Sequence, residues 1–135
     1  MIERLLQISH AIEADSGPVI MILLPTRELA IQVFEFIEKL LATIRSFNKS
    51  LLPHINSGIF IGGLPLQDDR RNLKIQKVKI VVGTIGRIIA LIKENSLKLN
   101  DVRMFIMDEA DKLVEQKDFY KHIVFVFEKL QPAEK

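Results

Sequence analysis

Asp108, Glu109 and Asp111 place three carboxylates within four consecutive positions, directly after the apolar run VRMFIM. Like charges packed this closely repel one another unless a cation or a hydrogen-bond donor offsets them. Mg²⁺ is a suitable counter-ion, because it keeps most of its waters and takes one or two carboxylates together with substrate phosphates. A plainer alternative is that the acids occupy the first turn of a helix, whose dipole favours negative charge. Asp108 to Asp111, read by themselves, leave the two possibilities evenly matched.

Three further clusters carry phosphate-binding chemistry: PTRE at 25–28, Gly62 with Gly63, and GTIGR at 83–87. Gly62, Gly63, Gly83 and Gly86 lack side chains where loops turn, so a ligand backbone can approach closely. Thr26, Arg27, Thr84 and Arg87 offer hydroxyls, amides and guanidinium groups suited to phosphates. A row of such sites fits a polyanion better than a single nucleotide. Taken singly, each glycine has a tight turn to serve and Arg87 reads as a solvated side chain.

The elements that position these clusters follow from periodicity. Val19 to Leu24 is a continuous apolar run, the pattern of a strand buried on both faces. From Thr26 to about Phe47, Leu29, Val33, Phe36, Ile37, Leu40 and Ile44 recur at helical spacing, with Thr26 as the N-cap and Glu28 in the first turn. Ile59 to Ile61 predicts a short strand, Pro65 to Ile75 a polar helix, and Val78 to Val82 another strand. A helix carrying Ile88, Ile89 and Ile92 then stops near Asn95. Val102 to Met107 is the fourth strand. Phe119, Ile123, Val126, Phe127 and Leu130 favour a last helix, although the β-branched HIVFVF keeps a strand open. Four alternations of strand and helix predict a parallel α/β sheet flanked by helices. Each polar cluster follows a strand directly, so all four belong on one rim, where open α/β sheets bind ligands. That shared rim tips the carboxylates toward the metal.

Composition narrows the class. The 135 residues suffice for one domain, and 48% hydrophobic with 27% charged residues is a globular balance. A formal charge of +2 with a pI near 8.9 permits an anionic partner without requiring one. The absence of cysteine excludes disulfides and suits the cytoplasm or nucleus. The N-terminal MIERLLQISHAIEADSG reads as an amphipathic helix and not a signal peptide, and no apolar run is long enough to span a bilayer, so no membrane partner is expected. His10, His54 and His122 lack metal-ligand spacing. The stretch from Asp68 to Lys79 reads as a solvated helix face adding weak attraction to RNA, and the phenylalanines at helical spacing read as core.

PTRELA (25–30), GG (62–63), TIGR (84–87) and MDEADKL (107–113) together resemble the DEAD-box ATP-dependent RNA helicases in order, spacing and context. The likeness runs from about Val19 to the end of the chain and implies part of a first RecA-like domain of the P-loop NTPase class. By that resemblance the parent enzyme uses ATP and Mg²⁺ to unwind RNA duplexes or remodel ribonucleoproteins. Asp108 would hold Mg²⁺ through water, Glu109 would activate the water that attacks the γ-phosphate, and Asp111 would tie this motif to others across the cleft. Thr26, Arg27, Glu28, Gly62, Gly63, Thr84, Gly86 and Arg87 would grip the RNA backbone. Within the family, FIGGLPL, VRMFIMDEADKLVE and LIKEN most resemble the DEAD-box member of the survival-of-motor-neuron (Gemin) complex, which implies that complex as a partner.

The sequence also departs from the family pattern. Ile85 stands where the pattern has proline, so the loop loses a fixed φ angle. No G-x-x-x-x-G-K-[ST] loop occurs in residues 1–135, and the chain stops just short of the family's Ser-Ala-Thr motif. The expectation is a partial domain that is inactive by itself and exposes its DEAD strand as an apolar edge. The alternative is a truncated, non-catalytic module that binds RNA or a partner.

Overall fold

A computed structural model describes residues 3, 16–50, 52 and 54–130. The amphipathic helix expected at the N-terminus falls outside the described residues, apart from Glu3.

Four strands form one parallel sheet: β1 (Ile20–Leu24), β2 (Ser57–Phe60), β3 (Ile80–Thr84) and β4 (Met104–Met107), in the order β2-β3-β1-β4. Five helices connect and follow them: α1 (Arg27–Phe47), α2 (Leu66–Gln76), α3 (Ile85–Lys93), α4 (Ala110–Val114) and α5 (Phe119–Lys129). The apolar run at β1 is continuous because β1 lies between two strands and two helical layers. Ile20, Ile22 and Leu24 face α1 residues Ala30, Ile37 and Leu41, while Met21 and Leu23 face Ile88, Ile89 and Ile92 of α3. The period of two along a strand thus divides one run between two cores. Each fully buried Leu or Ile contributes about 2 kcal/mol, so Leu23→Ala would remove a large share of the stability of so small a domain.

The α1 boundary follows the predicted chemistry. Thr26 is extended, with φ −128°, and its Oγ1 accepts from the Leu29 N–H at 3.3 Å. HIVFVF is helical, because Val126 seats in the core beside α3 while the opposite face of α5 meets solvent. Helical amphipathicity overrides β-propensity there.

Three sequence expectations need correction. Phe36, Phe47 and Phe127 are exposed and not core. The stretch from Asp68 to Lys79 is not uniformly solvated, since Asp69 and Lys79 are both buried. Asp69 shares a helical stripe with Leu66 and Leu73, which pack on the core, so its burial was encoded in spacing three and four. Lys79 lies directly before β3, and its Nζ donates to the carbonyl and the hydroxyl of Ser16. The fourth strand begins at Met104 and not at Val102. As expected, β4 is an edge, with one partner strand among the described residues and all four of its residues half-buried.

Candidate polyanion groove and carboxylate rim

The sheet order places the carboxyl ends of all four strands on one rim, and the clusters that follow β1, β2 and β3 line a single groove of about 710 Å³. Its walls include Thr26, Arg27, Glu28, Gly62, Gly63, Thr84, Gly86 and Arg87. Leu64 and Ala90 complete them without having been anticipated. The carboxylate segment follows β4, which pairs with β1, and Asp108 N–H donates to the Leu23 carbonyl at 3.1 Å.

Individual residues play different local parts. Gly63 has φ +97°, a backbone that L side chains rarely adopt, and the space a Cβ would fill lies 2.6 Å from an Arg27 guanidinium nitrogen. The Gly62–Gly63 turn therefore seats Arg27. Gly83, by contrast, serves packing: an added Cβ would lie 2.5 Å from the Phe60 carbonyl oxygen of the neighbouring strand. Around Gly86 the same space is open toward the groove. Thr84 makes no side-chain capping bond to α3 and lines the groove. Ile85, where the family pattern has proline, is buried and anchors the first turn of α3 in the core shared with Ile88 and Ile89.

Arg87 is not the solvated side chain it reads as when taken singly. Its Nε donates to the Ile61 carbonyl at 2.9 Å, a terminal nitrogen donates to the Leu64 carbonyl, and Nε lies 3.2 Å from Asp69 Oδ2. Burial raises the Asp69 pKa, the Arg87 charge opposes that rise, and Asp68 adds to it.

On the carboxylate side, Glu109 has φ 48° and an ion pair to Lys112 at 2.7 Å. Hydrogen bonding to Glu109 and its charge raise the pKa of Lys112, and this lysine is the donor that offsets the acidic cluster. Asp108 Oδ1 accepts the Glu109 N–H at 2.9 Å, and Asp111 sits in the first turn of α4. Among the described residues, no three Asp, Glu or His side chains converge into a metal site. With Glu109 engaged and Asp108 exposed, the donor set fits Mg²⁺ held through water with phosphates completing its shell, and does not fit an all-protein cage. Gln116, which no sequence pattern singled out, donates from its side-chain amide to the Pro25 carbonyl at 2.8 Å.

A parallel sheet with helices on both faces, and a groove beside a carboxylate loop on its carboxyl rim, is the arrangement of a RecA-like α/β domain. The structures bear this out at the level of fold. Saccharomyces cerevisiae Dbp5 bound to Gle1 and IP6 aligns with a TM-score of 0.67 at 23% identity over 90% of this chain and 28% of that one. Dbp5 bound to RNA and ADP BeF3 aligns at 0.65 and 21% over 96% and 29%. The chain belongs to the DEAD/DEAH box helicase family, which it matches over residues 1–135. It is 37% identical to human ATP-dependent RNA helicase DDX39A over 92% of its length, and 36% identical to ATP-dependent RNA helicase SUB2 of Chaetomium globosum over 80%. It spans about a quarter of each of those relatives, at 27% and 24%. No helix among the described residues is long and apolar enough to cross a membrane.

Proposed function

We propose that this chain is part of the first RecA-like domain of an ATP-dependent RNA helicase, a parent protein that couples ATP hydrolysis to RNA duplex separation or ribonucleoprotein remodelling. The observation that carries the reading is the single groove formed by the turns after β1 and β2 and by the junction of β3 with α3, on the same rim as Asp108 and Glu109. Family membership supports it, as does a Dbp5 neighbour that binds RNA.

In this reading Thr26, Arg27, Glu28, Gly62, Gly63, Thr84 and Gly86 receive the sugar-phosphate backbone without reading bases, and contacts to 2′-hydroxyls favour RNA over DNA. Asp108 would hold Mg²⁺, which when bound would supply positive charge to the phosphate oxygens of ATP. Glu109 would accept a proton from the attacking water; its backbone, two residues past β4, is left-handed. Asp111 links this loop to the rest of the cleft. Cytoplasm and nucleus are the compartments this activity calls for. FIGGLPL and LIKEN motivate a narrower reading, a Gemin-complex helicase, to which the relatives DDX39A and SUB2 lend no support.

A second reading is a non-catalytic RNA- or partner-binding module, for which the groove by itself would suffice. Two measurements separate the readings: ATP turnover of the full-length protein with and without single-stranded RNA, and RNA affinity across a salt series. A helicase hydrolyses ATP faster with RNA, whereas a binding module shows a steep salt dependence and no turnover. A protein that neither binds RNA at low salt nor hydrolyses ATP excludes both.

A further inference from the structure

We infer that Asp69 is a positioning residue of the polyanion groove, acting through Arg87 to hold the Gly62–Gly63 turn in the shape that receives an RNA backbone. The inference rests on the RNA reading above and adds to it a residue outside every recognised motif.

Four observations carry it. The Arg87 and Asp69 side chains are only 10% and 5% exposed. The Arg87 guanidinium donates to the carbonyls of Ile61 and Leu64, the two residues that bracket the glycine pair. Asp69 Oδ2 lies 3.2 Å from Arg87 Nε, but that N–H is directed at Ile61, so the carboxylate supplies charge and not a second hydrogen bond. Leu66 and Leu73 pack α2 against the core and so fix where the carboxylate stands.

The arrangement has a cost that a purely structural pair would not need to carry. A carboxylate behind a groove for polyanions repels what the groove must bind, and a buried ion pair is rarely a net source of stability. Its effect is geometric, because a guanidinium fork locked on three sides holds two carbonyls at once. Arg27, exposed on the opposite side of the same turn, is the cation left to meet a phosphate.

The alternative is that Arg87 is itself a phosphate ligand, held by Asp69 until RNA arrives. The two cases predict opposite signs. Binding of a fluorescent oligouridine to the full-length protein is measured by anisotropy across a salt series, for wild type, Asp69→Asn and Arg87→Lys. If Asp69 positions, Asp69→Asn weakens RNA affinity on the order of tenfold even though a negative charge has been removed. Arg87→Lys, which keeps the charge but cannot span both carbonyls, weakens it as well, and the salt slope stays that of wild type. If Arg87 is the ligand, Asp69→Asn leaves affinity unchanged or tightens it and Arg87→Lys stays near wild type, which overturns the inference. Should Asp69→Asn lose its cooperative melting transition, Arg87→Lys decides alone by the same criterion. Wild-type protein without RNA affinity at low salt would remove the RNA reading itself, an outcome distinct from affinity that survives both substitutions.

Discussion

Gln116 donates to the backbone carbonyl of Pro25 at 2.8 Å, across a sequence separation of 91. This bond joins the segment after the carboxylate loop to the entrance of the PTRE turn, so the carboxylate segment and the groove are tied by a side-chain hydrogen bond. Gln116→Ala leaves the Pro25 carbonyl without that donor. It should cost about 1 kcal/mol of stability and lower the RNA-stimulated rate of ATP turnover more than the rate without RNA. Equal losses in the two rates would show that the bond only stabilises the fold.

Glu109→Gln should abolish ATP turnover in the full-length protein while RNA binding in the presence of ATP persists. The substitution also breaks the ion pair to Lys112, but an exposed pair three residues apart is worth about 0.5 kcal/mol or less, so the fold should hold. Turnover at the wild-type rate in this variant would remove Glu109 from the mechanism.

The glycines should separate by function. Gly83→Ala places a Cβ against the backbone oxygen of Phe60, which cannot move aside, and overpacking of this kind costs about 1–3 kcal/mol. Gly63→Ala meets only the mobile tip of Arg27 but forces a left-handed backbone, at about 1–2 kcal/mol. Denaturant titration should therefore show both losses, while RNA affinity of the folded protein falls chiefly for Gly63→Ala.

Asp69 gives stability an acid-side signature. Its folded pKa is raised from 3.8, with burial as the main cause, so the folded state holds this proton more tightly than the unfolded chain. Its contribution favours folding below the ordinary carboxylate range and is lost as pH rises from there through the raised value. Asp69→Asn cannot titrate. The stability of wild type minus that of the variant should thus decline as pH rises from the ordinary value of 3.8; a difference that rises over the same range would reverse the assignment.

The isolated 135-residue chain should self-associate. Among the described residues strand β4 has an open, half-buried apolar edge, and Phe127, whose ring is tilted against that of Phe105 with centroids 5.4 Å apart, is exposed beside it. Sedimentation velocity should show species that grow with concentration, and Phe127→Lys should reduce them. A single monomer boundary at all concentrations would contradict this.

Much of the architecture was legible in the sequence because it depends on neighbours along the chain. The β1 run, the Thr26 cap, the helical stripes and the placement of each polar cluster after a strand are patterns of a few residues. Together with the rule that parallel strands share a carboxyl edge, they were enough to predict a common rim. The exposure of Phe36 and Phe127 was not legible, since periodicity marks a face without saying whether anything packs on it.

What the tertiary structure alone decided is how the rim is held. Arg87 was visible as a cation in a loop motif, but its locking between Asp69 and the carbonyls of Ile61 and Leu64 depends on α2 and α3 meeting the same turn. Gln116 and Pro25, or Arg27 and Gly63, are likewise pairs with no periodic relation. A hydrogen bond to a backbone carbonyl places no demand on the identity of the accepting residue, so it leaves no mark in the sequence; only the packed chain brings the two groups within reach.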